Sequence, residues 1–167
     1  SSWTEGKLDF VRMGPAPQGL ALVVAVPDVR LATEESRRAL PETVPLKDAA
    51  FGVGNAALFV AAWAQGSLEH FASAMRDRLH QPFRLKLVPG AEEILDELAK
   101  CPECAGVALS GSGPSILAMV RRDPHVVASL MCRIFANHDL RSRFFLLEVD
   151  STGAVVTGGD GSCHGTF

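Results

Sequence analysis

The sequence predicts a single α+β domain with a split β-α-β pattern, the ferredoxin-like arrangement enlarged by extra helices. Three observations predict this class. Apolar strand-like runs alternate with segments of helical periodicity in the order strand, helices, strand, strand, helix, strand. The 167 residues suffice for one sizeable core and are too few for two full domains. The sequence also contains no internal repeat and no long linker.

The first half of the chain supplies two strands and three helices, the last of which is capped by Ser67 and carries Leu68, Phe71, Ala72, Met75 and Leu79 on its core face. Strands are predicted over Leu8–Met13 and Leu20–Val26, and the unbroken apolar run of the second is typical of a strand buried on both faces. A short helix is expected from Thr33, acting as its N-cap, to Pro41. A long helix follows over about 45–64. Because its other faces are apolar as well, we expect this helix to be central, with an apolar stripe at 4-3-4-3-4 spacing formed by Leu46, Ala50, Val53, Ala57, Val60 and Ala64.

The second half alternates strands and helices. A helix is predicted after Pro89-Gly90, and two strands lie within GVALSGSGPSILAMV, residues 106–120. Asp123 followed by proline marks the start of another helix. Final strands are expected over Phe144–Val149 and Ala154–Thr157. The predicted organisation is therefore a junction segment over 1–19, the domain over 20–157 and a flexible tail over 158–167.

Composition excludes several classes of function. The net charge is −3 and basic residues do not cluster, which argues against a nucleic-acid surface. The longest apolar stretch has nine residues, about half of what a membrane span requires. With four cysteines and no signal-peptide pattern, a reducing cytoplasm is the expected location. Cys101 and Cys104 form a C-x-x-C pair after a helix, where a structural role is favoured over a redox or zinc site.

The glycine loop between the two central strands is a candidate phosphate-binding element. It consists of Ser110, Gly111, Ser112, Gly113, Pro114 and Ser115. It lacks the lysine of a Walker loop, and a strand rather than a helix follows it, so neither common nucleotide motif is present. A hairpin turn and an anion-binding nest of backbone N–H groups both remain open, and they are compatible with each other.

Two arginines are candidate carboxylate ligands. Arg37 lies four residues after Thr33, on the same face of the short helix, and Arg84 follows His80 in a proline-containing segment. A guanidinium group can hold a carboxylate through two parallel hydrogen bonds. The alternative for each arginine is a solvated surface charge.

Five segments together resemble the C-terminal half of homoserine kinases, which belong to the GHMP small-molecule kinase superfamily. The resemblance extends over roughly residues 21–156. The glycine loop alone would indicate only the superfamily, whereas DRLHQPFR after T-x-x-x-R…LP is more specific. The segments are TEESRRALP (Thr33–Pro41), VPLKDAAFGVGNAALFVAA (Val44–Ala62), DRLHQPFR (Asp77–Arg84), LVPG (Leu87–Gly90) and GVALSGSGPSILAMV.

The resemblance implies phosphorylation of the side-chain hydroxyl of L-homoserine by ATP and Mg²⁺, a step of threonine biosynthesis. Arg37 and Arg84 match the arginines that hold the substrate carboxylate in that family. Thr33 and His80 match positions near the same pocket. The glycine loop matches the one that lies against the nucleotide phosphates and the substrate.

The sequence departs from the family in one large respect. The N-terminal P-x-x-x-G-L-G-S-S-A loop that binds ATP is absent, as are the groups that bind magnesium. We therefore expect a C-terminal part without catalytic or metal-binding residues of its own, inactive alone and binding neither ATP nor Mg²⁺. Its expected partners are its own N-terminal ATP-binding domain and, in a homodimer, a second copy. The alternatives are another GHMP kinase acting on a small alcohol and a non-catalytic ferredoxin-like module that binds an amino acid.

Overall fold

The fold is described by a computed structural model, which covers residues 2–4, 6–11, 13–152, 155–157 and 163–166. Short 3₁₀ turns at Leu68–His70 and Leu85–Leu87 connect some of the helices. In chain order the strands and helices are β1 (Ser2–Thr4), β2 (Lys7–Asp9), β3 (Ala21–Pro27), α1 (Thr33–Arg38), α2 (Leu46–Gln65), α3 (Phe71–Ala74), α4 (Gln81–Arg84), α5 (Ala91–Lys100), β4 (Cys104–Leu109), β5 (Ile116–Val120), α6 (Pro124–Asn137), β6 (Ser142–Leu147), β7 (Val155–Thr157) and β8 (Cys163–Thr166).

A four-stranded antiparallel sheet forms the centre of the domain. Its strand order is β4-β5-β3-β6, so β3, the first of these four strands along the chain, lies between β5 and β6. Val23 of β3 pairs with Ala118 of β5 on one side and with Leu146 of β6 on the other. This order is that of a ferredoxin-like split β-α-β unit, and it confirms the predicted α+β class.

Helices α5 and α6 cover one face of the sheet. The Asp123 side chain accepts the N–H of Val126 at 3.4 Å and Pro124 occupies the first turn, so α6 begins where the sequence predicts. Alternate residues of β3 and β5 point towards these helices, as the two-residue period of a strand requires. The resulting core cluster includes Val23, Ala25, Ile94, Leu98, Ile116, Ala118, Val127, Met131 and Phe135.

Helices α2 and α3 cover part of the opposite face. Phe71 is fully buried there, with its ring centroid 5.1 Å from that of Phe59 and 6.1 Å from that of Trp63. Gly106 of β4 permits this contact, because a Cβ at that position would lie 3.1 Å from the backbone of Phe71. The close approach of α3 to β4 therefore depends on a glycine in a strand.

The prediction that α2 is central is wrong, because one of its faces is exposed. Leu46, Val53 and Val60, which were expected to face the core, are 85%, 73% and 53% exposed. The helix instead packs through the opposite face, where Phe59 and Ala62 belong to a second apolar cluster that includes Phe71 and Met119. The helix is apolar on both faces, so periodicity identified an apolar stripe but could not decide which one the sheet covers.

Smaller departures occur towards the ends of the chain. Strand β2 ends at Asp9 instead of continuing to Met13. Thr33 is the first helical residue of α1 and not its N-cap, which is Ala32 without a side-chain cap. In the segment expected to be a flexible tail, β8 pairs with β7, while residues 158–162 and 167 lie outside the described residues. The division into three parts stays a prediction.

Candidate functional site

The glycine loop is a hairpin that joins β4 to β5. The N–H of Ser110 donates to the carbonyl of Ser115 at 2.8 Å, and the N–H of Gly113 donates to the carbonyl of Ser110 at 3.1 Å. Gly111 and Gly113 have φ values of 61° and 83°, in the left-handed region that favours glycine. Within the described part of the chain, the N–H groups of Gly111 and Ser112 have no acceptor. The hairpin prediction is confirmed, and the loop retains free donors that suit an anion.

Ser36 of α1 connects the glycine loop to Arg84. Its side chain is 1% exposed, and its hydroxyl donates to the carbonyl of Ser112 at 3.3 Å. The carbonyl of Ser36 in turn accepts the Nε–H of Arg84 at 3.2 Å. One buried serine thus holds α1, α4 and the glycine loop together. The two terminal nitrogens of the Arg84 guanidinium are not used in this contact, and they are the pair that binds a carboxylate end-on.

Gln81 fixes the end of β4 immediately before the glycine loop. It is 5% exposed. Its Oε1 accepts the N–H of Leu109 at 2.8 Å, and its Nε2 donates to the carbonyl of Met75 at 3.3 Å. These bonds attach the glycine loop to the segment that carries His80 and Arg84.

Asp77 organises the turn that precedes α4. Its Oδ2 accepts the N–H groups of His80 at 2.7 Å and Gln81 at 2.6 Å. Burial is the largest single influence on the pKa of this carboxyl and would raise it, but the backbone N–H groups of Gln81, His80 and Leu79, together with the nearby His80 side chain, outweigh burial and hold the pKa below its ordinary value. His80 lies beside it, with Nε2 3.8 Å from Asp77 Oδ2. Its buried Nδ1 has no hydrogen-bond partner among the described residues.

The remaining predicted residues lie on the outer surface of α1. Thr33 and Arg37 are both exposed and share one face of the helix. No described side chain forms an ion pair with Arg37. The structure therefore connects Arg84 to the glycine loop through Ser36, and it places Arg37 next to Ser36, without an ion-pair partner among the described residues. Sequence reasoning missed Ser36, Gln81 and Asp77.

Two cavities border this region. One of about 390 Å³ is lined by Asn55, Phe59, His80 and Leu109, among others, and lies where α2 meets the end of β4. A larger cavity of about 530 Å³ lies between α3, α5 and β4 and contains none of the predicted site residues. Of the predicted site residues, His80 lines the smaller cavity and none lines the larger one.

The described residues contain no cluster of three or more His, Cys, Asp or Glu side chains that could hold a metal ion. Burial raises the pKa of the Cys104 thiol to about 11, which is unfavourable for a reactive thiolate. No helix in the described part of the chain is both long and apolar enough to cross a bilayer.

Comparison with known proteins identifies the type of domain. A family model described as "GHMP kinases C terminal" matches residues 56–137. This chain carries a GHMP kinase C-terminal domain. The match to the GHMP kinase C-terminal domain includes His80, Arg84 and the glycine loop, whereas Thr33 and Arg37 precede it.

Homoserine kinases are among the proteins similar to this GHMP kinase C-terminal domain. The homoserine kinase of Solibacter usitatus is 44% identical over 143 residues, which are 86% of this chain and 46% of that protein. That of Caldicellulosiruptor bescii is 37% identical over 152 residues, 90% of this chain and 49% of that protein. The crystal structure of homoserine kinase from Cytophaga hutchinsonii superposes with a TM-score of 0.79 at 26% identity, covering 84% of this chain and 45% of that one. The chain spans about half the length of the curated relatives it matches.

Proposed function

We propose that this chain is the C-terminal, substrate-side part of an ATP-dependent homoserine kinase. In the complete polypeptide, ATP with Mg²⁺ supplies the phosphoryl group, and the side-chain hydroxyl of L-homoserine receives it. The observation that carries the proposal is the Ser36 junction, which holds the Arg84 guanidinium against the same helix that contacts the glycine loop. The similarity to homoserine kinases over most of the chain supports it.

Each group has a distinct task in this proposal. Arg84 and Arg37 bind the carboxylate of the amino acid and so orient its hydroxyl. The free N–H groups of Gly111 and Ser112 face the phosphate oxygens, where fixed donors stabilise negative charge. Thr33 and His80 border the substrate. Phosphoryl transfer depends mainly on such positioning and charge stabilisation, so no nucleophilic side chain of this chain is needed.

The N-terminal part of the polypeptide supplies the nucleotide and magnesium sites in this proposal. We expect the chain alone to show no turnover of ATP with L-homoserine above background. Turnover by this chain alone would contradict its role as a dependent part.

Kinetics of the complete polypeptide test the two arginines. Arg84→Ala or Arg37→Ala removes a charge-assisted contact of about 1.5–3 kcal/mol, so the KM for L-homoserine should rise about 10- to 150-fold. The KM for ATP should change less than twofold. Arg38→Ala is the matched control, because Arg38 follows Arg37 on α1 and pairs with Glu34 of the same helix at 3.3 Å.

The pattern of effects separates the alternatives. An effect confined to the KM for ATP would contradict carboxylate binding and favour another alcohol as the substrate. Calorimetry provides a second criterion, because a half-site should bind L-homoserine weakly. Micromolar binding by this chain alone would instead favour an amino-acid-binding module.

A further inference from the structure

The first half of α2 contacts the Asp77 turn, residues 77–80, which precedes α4. One face of this helix, formed by every third or fourth residue, is buried or half-buried along its length. In the second half of the helix, this face carries Phe59 and Ala62, which pack in the second apolar cluster. In the first half it carries polar and small residues instead: Asp48, Gly52 and Asn55. Packing of the apolar core does not explain these three residues, whereas their contacts with the segment 76–79 do.

Asn55 and Gly52 attach this segment to the helix at both of its ends. The Nδ2 of Asn55 donates to the backbone carbonyl of Arg76 at 2.7 Å. Gly52 lets Leu79 pack directly on the helix, because a Cβ at position 52 would lie 3.0 Å from Leu79 Cδ1. The backbone on either side of Asp77 therefore follows the surface of α2.

Phe51 and Asp48 hold the side chain of Arg78 between these two attachments. The guanidinium carbon of Arg78 lies 3.9 Å from the centroid of the Phe51 ring, within the range of a cation–π interaction. One terminal nitrogen of the same guanidinium lies 3.3 Å from Asp48 Oδ1. A planar guanidinium that stacks on a ring and pairs with a carboxylate has one favoured orientation. Arg78 therefore cannot move away from α2 without losing both contacts.

The Asp77 turn connects this clamped segment to the candidate site. Asp77 precedes Arg78 in the chain, and its Oδ2 accepts the N–H groups of His80 at 2.7 Å and Gln81 at 2.6 Å. Gln81 begins α4 and bonds to the N–H of Leu109 directly before the glycine loop. A displacement of the segment 76–79 would therefore be passed on to α4 and to the end of β4.

We propose that Phe51 and Asp48 are positioning residues of the candidate site, which act through Arg78 to hold the Asp77 turn and α4 in the substrate-binding arrangement. The inference rests on the proposed function, in which His80 and Arg84 of this segment meet L-homoserine. Neither Phe51 nor Asp48 touches the substrate in this proposal. They set the affinity for the substrate and leave the phosphoryl-transfer step itself unchanged.

Kinetics of the complete polypeptide test the role of Phe51. Phe51→Leu keeps an apolar side chain but removes the ring, so the KM for L-homoserine should rise about fivefold, with kcat and the KM for ATP changed by less than about twofold. Phe51→Tyr retains the ring and should restore the native KM. A merely structural role would lower the amount of active enzyme, and thus the apparent kcat, without changing either KM. Val53→Ala is the matched control, because Val53 is 73% exposed on the opposite face of the same helix.

A double variant tests whether Phe51 acts through Arg78. Arg78→Ala removes both the cation–π contact and the ion pair, so it should raise the KM for L-homoserine at least as much as Phe51→Leu. Adding Phe51→Leu to Arg78→Ala should then raise the KM no further, because the shared contact is already lost. Effects that multiply would overturn this route of action.

Amide hydrogen exchange of this chain, followed by NMR, tests the positioning without any kinase turnover. Phe51→Leu should accelerate exchange at the amides of His80 and Gln81 about fivefold, whereas the amide of Val23 in the central sheet should change by less than about twofold. Unchanged exchange, or equal acceleration at Val23, would overturn the positioning role whatever the substrate is. Local acceleration at His80 and Gln81 with an unchanged KM for L-homoserine would instead contradict the proposed function, because the turn would loosen without affecting that substrate.

Discussion

Replacing Gln81 by leucine should destabilise the domain by about 2–4 kcal/mol. The substitution leaves the buried N–H of Leu109 without the acceptor that now lies at 2.8 Å, and an unsatisfied buried donor costs about 1–3 kcal/mol. Loss of the longer 3.3 Å bond to the Met75 carbonyl adds about 1 kcal/mol. Leucine has nearly the volume of glutamine, so the cavity contribution is small.

Urea unfolding followed by far-UV circular dichroism measures this loss, which corresponds to a fall in Tm of about 4–16 °C. Hydrogen exchange at the amide of Leu109 gives a local measurement, because exchange there should accelerate well beyond the change in global stability. Gln65→Leu is the matched control, since Gln65 is exposed at the last residue of α2 and should change stability by less than about 0.5 kcal/mol. A loss for Gln81→Leu no larger than that of the control would refute the assigned hydrogen bonds.

Two further predictions concern packing and pH. Gly106→Ala should lower the free energy of unfolding, measured in urea, by about 1–3 kcal/mol. The reason is that the added Cβ would lie 2.5 Å from Met75 Sδ and 3.1 Å from the backbone of Phe71. An unchanged free energy of unfolding would mean that α3 moves freely away from β4. The pKa of Asp77 is lowered by folding, so its stabilisation is complete above the unfolded value of 3.8 and is lost as the pH falls through the folded value. Unfolding free energies measured between about pH 5.5 and 2 should therefore fall more steeply for the native chain than for Asp77→Asn, and parallel curves would exclude this role.

The fold could be predicted because local patterns and tertiary structure agree along most of the sheet. The apolar run of β3 predicts a central strand, and β3 lies between β5 and β6, with one face buried and the other half-buried. The Asp-Pro start of α6 and the amphipathic α5 depend only on neighbouring residues. The prediction for α2 was wrong because two of its faces are apolar, and which of them is covered depends on how the rest of the chain packs.

The candidate site was predictable only in part, for a related reason. The arginines and the glycine loop have side chains or backbone torsions that suggest chemistry by themselves. Ser36 and Gln81 act through bonds to backbone groups 76 and 28 positions away in the sequence. No local pattern records such a bond, so ordinary polar residues gave no signal until the fold placed them at the junction.

The Ser36 junction also fixes the distance between the glycine loop and Arg84. Its hydroxyl contacts the turn proposed to face phosphate, and its carbonyl contacts the arginine proposed to hold the carboxylate. Both contacts belong to one residue of one helix, so the separation between the two ends of a bound substrate cannot change without breaking a partly buried hydrogen bond. Under the proposed function, this fixed spacing selects hydroxy amino acids by the length of their side chain. A substrate one methylene shorter would lose about 1–3 kcal/mol of transition-state binding.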